Sequence, residues 1–304
     1  MGKLNKLSDK KVIDFSVEKR LQAYNRCLEL KKDNITTIKI WKILKKEGLE
    51  IKYETIRSWV NGERMPNRRL NIIKKFDKKL SYIIGILLGD GCFYKVIKNG
   101  SYVQGRVILG VKERELAEYF ASLSSYILGK KVNYKVRWSN PQRVYIVEFC
   151  SKQLVELLLK PLPELKKFIE ISILNFLKGI FDAEGSISAK YQRDRIYPRI
   201  FLTNSNIELI KYAKYLLEKN GIKSTIQINT LAGKNKFIYN KKTNTTKTCY
   251  NLSIENIEGV RNFEKLIDFT IIRKQKKLRK LIEWIDKRGN YIPLKEWEDL
   301  KLKL

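Results

Sequence analysis

The sequence predicts an α+β chain: two pseudo-symmetric αββαββα units with antiparallel strands, preceded by a small all-α region. Three observations carry that prediction. The 304 residues are 43% hydrophobic, enough to bury two or three small cores and too much for a disordered basic polymer. From about residue 80 the chain alternates an apolar helical run, paired strand-like stretches and amphipathic helical stretches, then repeats that order. Both copies open on an apolar helical segment ending in a carboxylate and a glycine, Asp90-Gly91 in the first and Glu184-Gly185 in the second.

Residues 8–47 predict two helices, with Ile35, Ile38, Trp41, Ile43 and Leu44 near a 3.6-residue period and Gly48 ending the second. KYETIRSWVNG predicts a third, short helix closed by Asn61-Gly62. Helix, Gly-containing turn and helix together have the pattern of a helix-turn-helix. That reading sets Lys52, Tyr53, Thr55, Arg57 and Ser58 on or near a groove-facing side; an αα-hairpin that only packs gives a similar pattern. Residues 63–79, with Pro66 in a basic stretch, predict a linker. The expected division is therefore residues 1–75, 76–172 and 173–304.

In the first copy YIIGILLGDG is followed by strand-like CFYKVIK and YVQGRVILGV, the helical ERELAEYFASLSSYIL, strand-like KVNYKVRWS and QRVYIVEFC, and a helix from Ser151. Asn140-Pro141 supplies the turn of the second hairpin. The second copy runs ILNFLKGIFDAEG, SISAKYQR and YPRIFLTN, NIELIKYAKYLLEKNG, KSTIQINT and KTCYNLSIE, and NIEGVRNFEKLI. A Lys- and Asn-rich insertion, LAGKNKFIYNKKTNTTKT, lengthens its second hairpin.

In the opening helices Gly85 and Gly89 are four residues apart, as are Gly179 and Ala183. Each helix thus carries a strip of small residues that lets a second backbone approach, and the natural partner is the other copy. Side-by-side packing brings Asp90 and Glu184 together at the C-terminal ends, with Gly91 and Gly185 suited to a left-handed turn. Two like charges at the negative ends of two helix dipoles are a poor structural choice unless a cation sits between them. Oxygen ligands select Mg²⁺, which can activate water and stabilise the attacking and leaving oxygens of a phosphodiester.

The charge names the class of partner. Lys and Arg outnumber Asp and Glu by 63 to 32, a formal charge of +31, and each of residues 1–79, 80–172 and 173–304 is basic on its own. A long contact with a polyanion, nucleic acid foremost, fits that distribution. The sequence has no histidine, which excludes Ser-His-Asp and Cys-His hydrolysis and any His general base. Cys27, Cys92, Cys150 and Cys249 are scattered without a CxxC pair, arguing against a zinc site and for reduced thiols. No hydrophobic signal core and no apolar run of about 20 residues is present, so a soluble, cytoplasmic, unexported protein with no membrane partner is expected.

Both apolar segments resemble the LAGLIDADG motif, and their duplication over about residues 80–285 is similar to the monomeric, two-motif homing endonucleases, many of them archaeal. The resemblance implies strands that form a saddle on double-stranded DNA, and a site-specific endonuclease cutting both strands of a long, non-palindromic site. It implies Mg²⁺ or another divalent cation such as Mn²⁺, held at the eighth motif position by Asp90 and Glu184, with Gly89 and Ala183 beside them as further candidate ligands. Leu88 and Asp182 occupy the sixth position and are not expected in the chemistry. A polar or basic helper after the second strand of each copy falls on Lys112 in the first copy and on Asn204 or Ser205 in the second. A further family lysine falls on Lys274, with the loosely matched Lys167 in the first copy.

Alternation along the strands places Tyr94, Lys98, Gln104, Arg106, Asn133, Lys135 and Arg137 of copy one on the DNA-facing side. Copy two contributes Ser186, Ser188, Lys190, Arg195, Tyr197, Arg199, Gln227 and Asn229. Two diverged copies imply a monomer on two different half-sites. The rival expectations are an RNA maturase acting on intron RNA, which the same family includes, and a helix-turn-helix regulator on an inactive nuclease scaffold.

Overall fold

The computed structural model describes residues 17–63, 71–98, 100–233, 235–238, 241–244, 246–289, 291, 293 and 295–296. The start of the first predicted helix, the stretch around Pro66 and parts of the Lys- and Asn-rich insertion lie outside the described residues. The chain divides into two compact units, Met1–Ile73 with Phe93–Val107 and Phe149–Leu159, and Lys74–Cys92 with Ile108–Glu148 and Lys160–Leu304. That division runs across the strands of the first copy, whereas the sequence suggested boundaries at 75 and 172.

The N-terminal helices are α1 (Val17–Lys32), α2 (Thr37–Lys46) and α3 (Tyr53–Val60). Their shared core has helical spacing on each: Ala23, Cys27 and Leu30; Ile40 and Leu44; Ile56, Trp59 and Val60. Ile38 is 55% exposed, so the stripe on α2 runs through Ile40 instead. Trp41 Nε1 donates to the Ile51 carbonyl at 3.1 Å, tying α2 to the turn before α3. Gly48 ends α2 with φ +75°, a left-handed conformation that favours glycine.

The first copy then runs α4 (Lys78–Gly89), β1 (Gly91–Lys98), β2 (Ser101–Val111), α5 (Arg114–Ile127), β3 (Val136–Ser139), β4 (Val144–Cys150), α6 (Lys152–Leu158) and α7 (Leu162–Ile169). The second runs α8 (Ile173–Glu184), β5 (Gly185–Gln192), β6 (Arg195–Asn204), α9 (Ile207–Lys219), β7 (Thr225–Thr230), β8 (Asn235–Ile238), β9 (Lys241–Asn244), β10 (Cys249–Ile254), α10 (Ile257–Leu266) and α11 (Ile272–Arg288). The sheets are ordered β1-β2-β4-β3 and β5-β6-β10-β7, the same path twice once the inserted β8-β9 hairpin is set aside. This is the duplicated α+β architecture that the sequence pattern predicts.

Strand alternation builds the core of the second sheet. Ile200 and Leu202 of β6 and Leu252 and Ile254 of β10 are fully buried on the side where α9 and α10 pack, while Ile196 of β6, also fully buried, packs with Ala189, Tyr191 and Trp284. The intervening residues of β5 and β6 turn to the opposite, open face.

Helices α4 and α8 pack against each other through their glycines. Asp77 caps α4, its Oδ1 accepting from the Lys79 amide at 2.9 Å. A methyl group on Gly85 would collide with the Phe176 carbonyl oxygen, and one on Gly179 with that of Tyr82. A methyl group on Gly89 would lie 2.6 Å from the Ala183 side chain. Only bare backbone fits there, which fixes the two helix ends relative to one another.

Candidate active site

The C-terminal ends of α4 and α8 open into a cavity of about 380 Å³ lined by Asp90, Lys112, Glu113, Glu184, Arg273 and Lys274, among others. Asp90 is the C-cap of α4 and Glu184 the last residue of α8. Each element enters its strand directly. Gly91 is absent from the residues with positive φ, and Gly185 has φ −76° and ψ 144°, so neither makes the expected left-handed turn. Their constraint is space: a methyl group on Gly91 or Gly185 would run into the last turn of its own helix, at Leu87 or Phe181.

Asp90 stands at the exposed mouth while Glu184 is half-buried. Partial burial raises the Asp90 carboxyl above its usual range against the attraction of Lys274, and the nearby Glu113 adds to the rise. Glu184 is pushed up to about 7, first by burial and then by the charge of Asp90, with Asn204 and Lys274 opposing. Asn204, at the end of β6, donates from Nδ2 to Glu184 Oε1 at 3.0 Å and orients that carboxylate.

Lys274 is 8% exposed. Its ammonium donates to the Asp182 carbonyl at 2.8 Å and the Phe181 carbonyl at 3.3 Å, placing a cation on the negative end of α8. Burial lowers its pKa, while Asp182, Glu113 and Asp90 raise it. Lys112 lines the cavity with its side chain exposed. Asp182 is buried at 1% exposure, accepting from the Tyr82 hydroxyl at 2.8 Å and the Thr270 amide at 2.7 Å. It is committed to joining α8 to α4 and to the segment before α11.

A profile of the LAGLIDADG-like domain matches residues 172–268, from the start of α8 to just beyond α10. Over 277 residues the chain is 31% identical to the uncharacterized protein MJ0398 of Methanocaldococcus jannaschii, covering 90% of this chain and 98% of the other. The chain belongs to the LAGLIDADG family. It is also similar to homing endonuclease I-DmoI of Desulfurococcus mucosus, 24% identical over 151 residues that cover 49% of this chain and 74% of the relative. A solved structure of I-DmoI in complex with DNA and Ca is similar at a TM-score of 0.49 and 19% identity, covering 68% of this chain and all of the other.

The two LAGLIDADG motifs are thus α4 and α8. In the second sheet the strand register sets Ser186 opposite Phe201, Ser188 opposite Arg199, Lys190 opposite Tyr197 and Gln192 opposite Arg195. Thr203 faces Asn251, which faces Gln227. The predicted residues of β5, β6 and Gln227 therefore share one open face. Asn229 is exposed beside an irregularity in the β7-β10 register. In β1 and β2, Arg106 Nη1 donates to the Tyr94 hydroxyl at 3.3 Å, and Gln104 Nε2 donates to Cys150 Sγ. Lys98 is exposed, Arg137 pairs with Glu148 at 3.3 Å, and Asn133 and Lys135 are exposed just before β3.

In α3 the structure corrects one assignment. Lys52 and Arg57 are exposed and Tyr53 and Thr55 half-buried, but Ser58 is 8% exposed and donates to the Thr55 carbonyl at 3.0 Å. It faces the helical core because it lies beside Trp59 on the packed side of a short helix. Sequence reasoning also missed Glu113 and Arg273, which pair at 2.9 Å beside Lys112 and Lys274. The charge types were visible in VKER and IIRKQ; their separation by 160 residues hid the pair. Among the described residues no helix is long and apolar enough to cross a membrane.

Proposed function

We propose that this chain is a site-specific DNA endonuclease that uses a divalent cation, Mg²⁺ or Mn²⁺, to hydrolyse one phosphodiester in each strand of a long, asymmetric site. The observation that carries this reading is the pair Asp90 and Glu184, on the ends of two packed helices in one cavity, each carboxyl shifted toward its protonated form. Membership of the LAGLIDADG family supports it.

The residues present fit such a cation. The donors on offer are oxygens: the two carboxylates, which line the cavity together with Ala183, and the carbonyl of Gly89 next to Asp90 in the chain. Among the described residues no group of three or more His, Cys, Asp or Glu could form a protein cage. Sparse carboxylate ligation completed by water and phosphate is the habit of Mg²⁺. Bound there, the cation supplies Lewis-acid polarisation of a phosphoryl oxygen and offsets the repulsion of the two acids.

The chain's own groups act around that centre. Asn204 holds Glu184 in one orientation through its amide hydrogen bond. Lys274 neutralises the carbonyl end of α8, and Lys112 presents an exposed ammonium at the rim where a phosphate would pass. The polar faces of the strands, including Lys190, Arg195, Tyr197 and Arg199, lie against base edges and phosphates. Helix α3, with Lys52 and Arg57 exposed, gives a further DNA contact, and one chain suffices for both half-sites.

Incubation of the full chain with a randomised duplex DNA library and Mg²⁺ tests this reading. The expected product is a set of duplexes cut in both strands within a common sequence, with no cutting when EDTA removes the metal. DNA left intact at saturating protein and metal overturns it.

A further inference from the structure

The open face of the second sheet holds another cavity, about 400 Å³, toward the far end of β5 from Glu184; Lys190, Tyr197, Arg199, Lys223 and Ser253 are among its lining. Arg199 differs from the exposed lysines there because it is held. Its Nε and Nη2 both donate to Ser253 Oγ, at 3.1 and 2.7 Å. Nε also lies 3.2 Å from a Glu255 carboxylate oxygen, and the guanidinium carbon sits 5.0 Å from the centre of the Phe201 ring. Ser253 is 1% exposed and pairs with Phe201 in the sheet, so the anchor is part of the sheet rather than a mobile surface group.

A guanidinium offers a side fork, Nε with Nη2, and an end fork, Nη1 with Nη2. Ser253 and Glu255 occupy the side fork. The described contacts leave Nη1 without a protein partner, and with it the end fork. In the major groove guanine presents two acceptors, O6 and N7, to such a fork, whereas adenine places an amino donor at one of those positions. A phosphate contact needs only a point charge, which Lys190 and Lys223 already supply. Fixing an arginine in advance lowers the ordering cost of a contact that demands one geometry.

We propose that Arg199 is a specificity-determining residue that reads a single guanine through its end fork, with Ser253 as the residue that positions it. The proposal rests on the nuclease reading above. It is tested by sequencing the duplexes that wild type, Arg199→Gln, Ser253→Ala and Ser253→Thr each cut from a randomised library in Mg²⁺.

Wild type is expected to require guanine at one position in one half-site. Arg199→Gln moves that preference to adenine. Ser253→Ala lowers the discrimination there by roughly tenfold or more, and Ser253→Thr, which keeps the hydroxyl, restores it. Base preference unchanged in Arg199→Gln and Ser253→Ala, with uniformly weaker cutting of every sequence, marks a phosphate contact and overturns the assignment. A wild-type protein that cuts no sequence overturns the nuclease reading itself, and the assignment with it.

Discussion

At the scale of single residues, the ionisation of Glu184 links the site to folding. Its carboxyl sits at about 7 because of burial and the charge of Asp90, so ionising it in the folded chain opposes folding. The stability it contributes is full below the ordinary glutamate range and is lost as pH rises through about 7. Metal-free Glu184→Gln is therefore expected to melt on the order of a few degrees higher than wild type at pH 8, with the gap closing at pH 4; thermal unfolding in EDTA measures it. The same shift predicts that Mg²⁺ binding strengthens between pH 6 and 8, with proton release, since cation and proton compete for one carboxylate; calorimetry at the two pH values checks both. Asp90 and Glu184 were legible because each stands at the same point of a repeated segment. Asn204 was visible in the sequence as a polar residue after the second strand, and its bond to Glu184 emerges only from the fold. The Tyr82–Asp182 bond was not legible, because 100 residues separate its partners and neither has a repeat to mark it.

At the scale of elements, the packing of α4 on α8 decides where the acids stand. Gly85 and Gly179 are matched positions whose missing side chains admit the partner's carbonyls. Alanine in place of Gly85 gains about 1 kcal/mol of helix propensity, but its methyl meets backbone that cannot rotate away. Gly85→Ala is therefore expected to lose about 1–3 kcal/mol net, read by urea denaturation, with cleavage falling further as the acids separate. The small-residue strips forecast this interface from spacing alone. The rule that glycine caps a helix end in a left-handed turn misjudged Gly91 and Gly185, because glycine serves equally for such a turn and for a tight passage of extended backbone. Periodicity found the helices and the repeated element order; on α2 it picked Ile38, which is exposed, where Ile40 two residues on is the buried one, because a short run of apolar residues leaves the phase of the stripe loose.

For the whole molecule, the spread of positive charge over every part of the sequence predicts DNA affinity that falls steeply with salt. Arg57→Ala is expected to weaken binding and to lower the slope of log K against log salt by about one phosphate contact, while Ser58→Ala, changing a residue that faces the core, leaves the slope as it is. Equal slopes for wild type and Arg57→Ala would remove α3 from the DNA contact. The sequence's composition named a polyanionic partner and its repeat named the fold, but neither reveals which bases are read, since that depends on side-chain anchoring such as Arg199 on Ser253.

In the proposed nuclease Asp90 and Glu184 work together on DNA with a divalent cation. Cleavage and binding of a selected target by wild type, Asp90→Asn and Glu184→Gln, with Mg²⁺ and with EDTA, measure it most directly. Each substitution is expected to abolish Mg²⁺-dependent cutting while the protein still binds the target; undiminished cutting by either variant would rule out a joint role for the two acids.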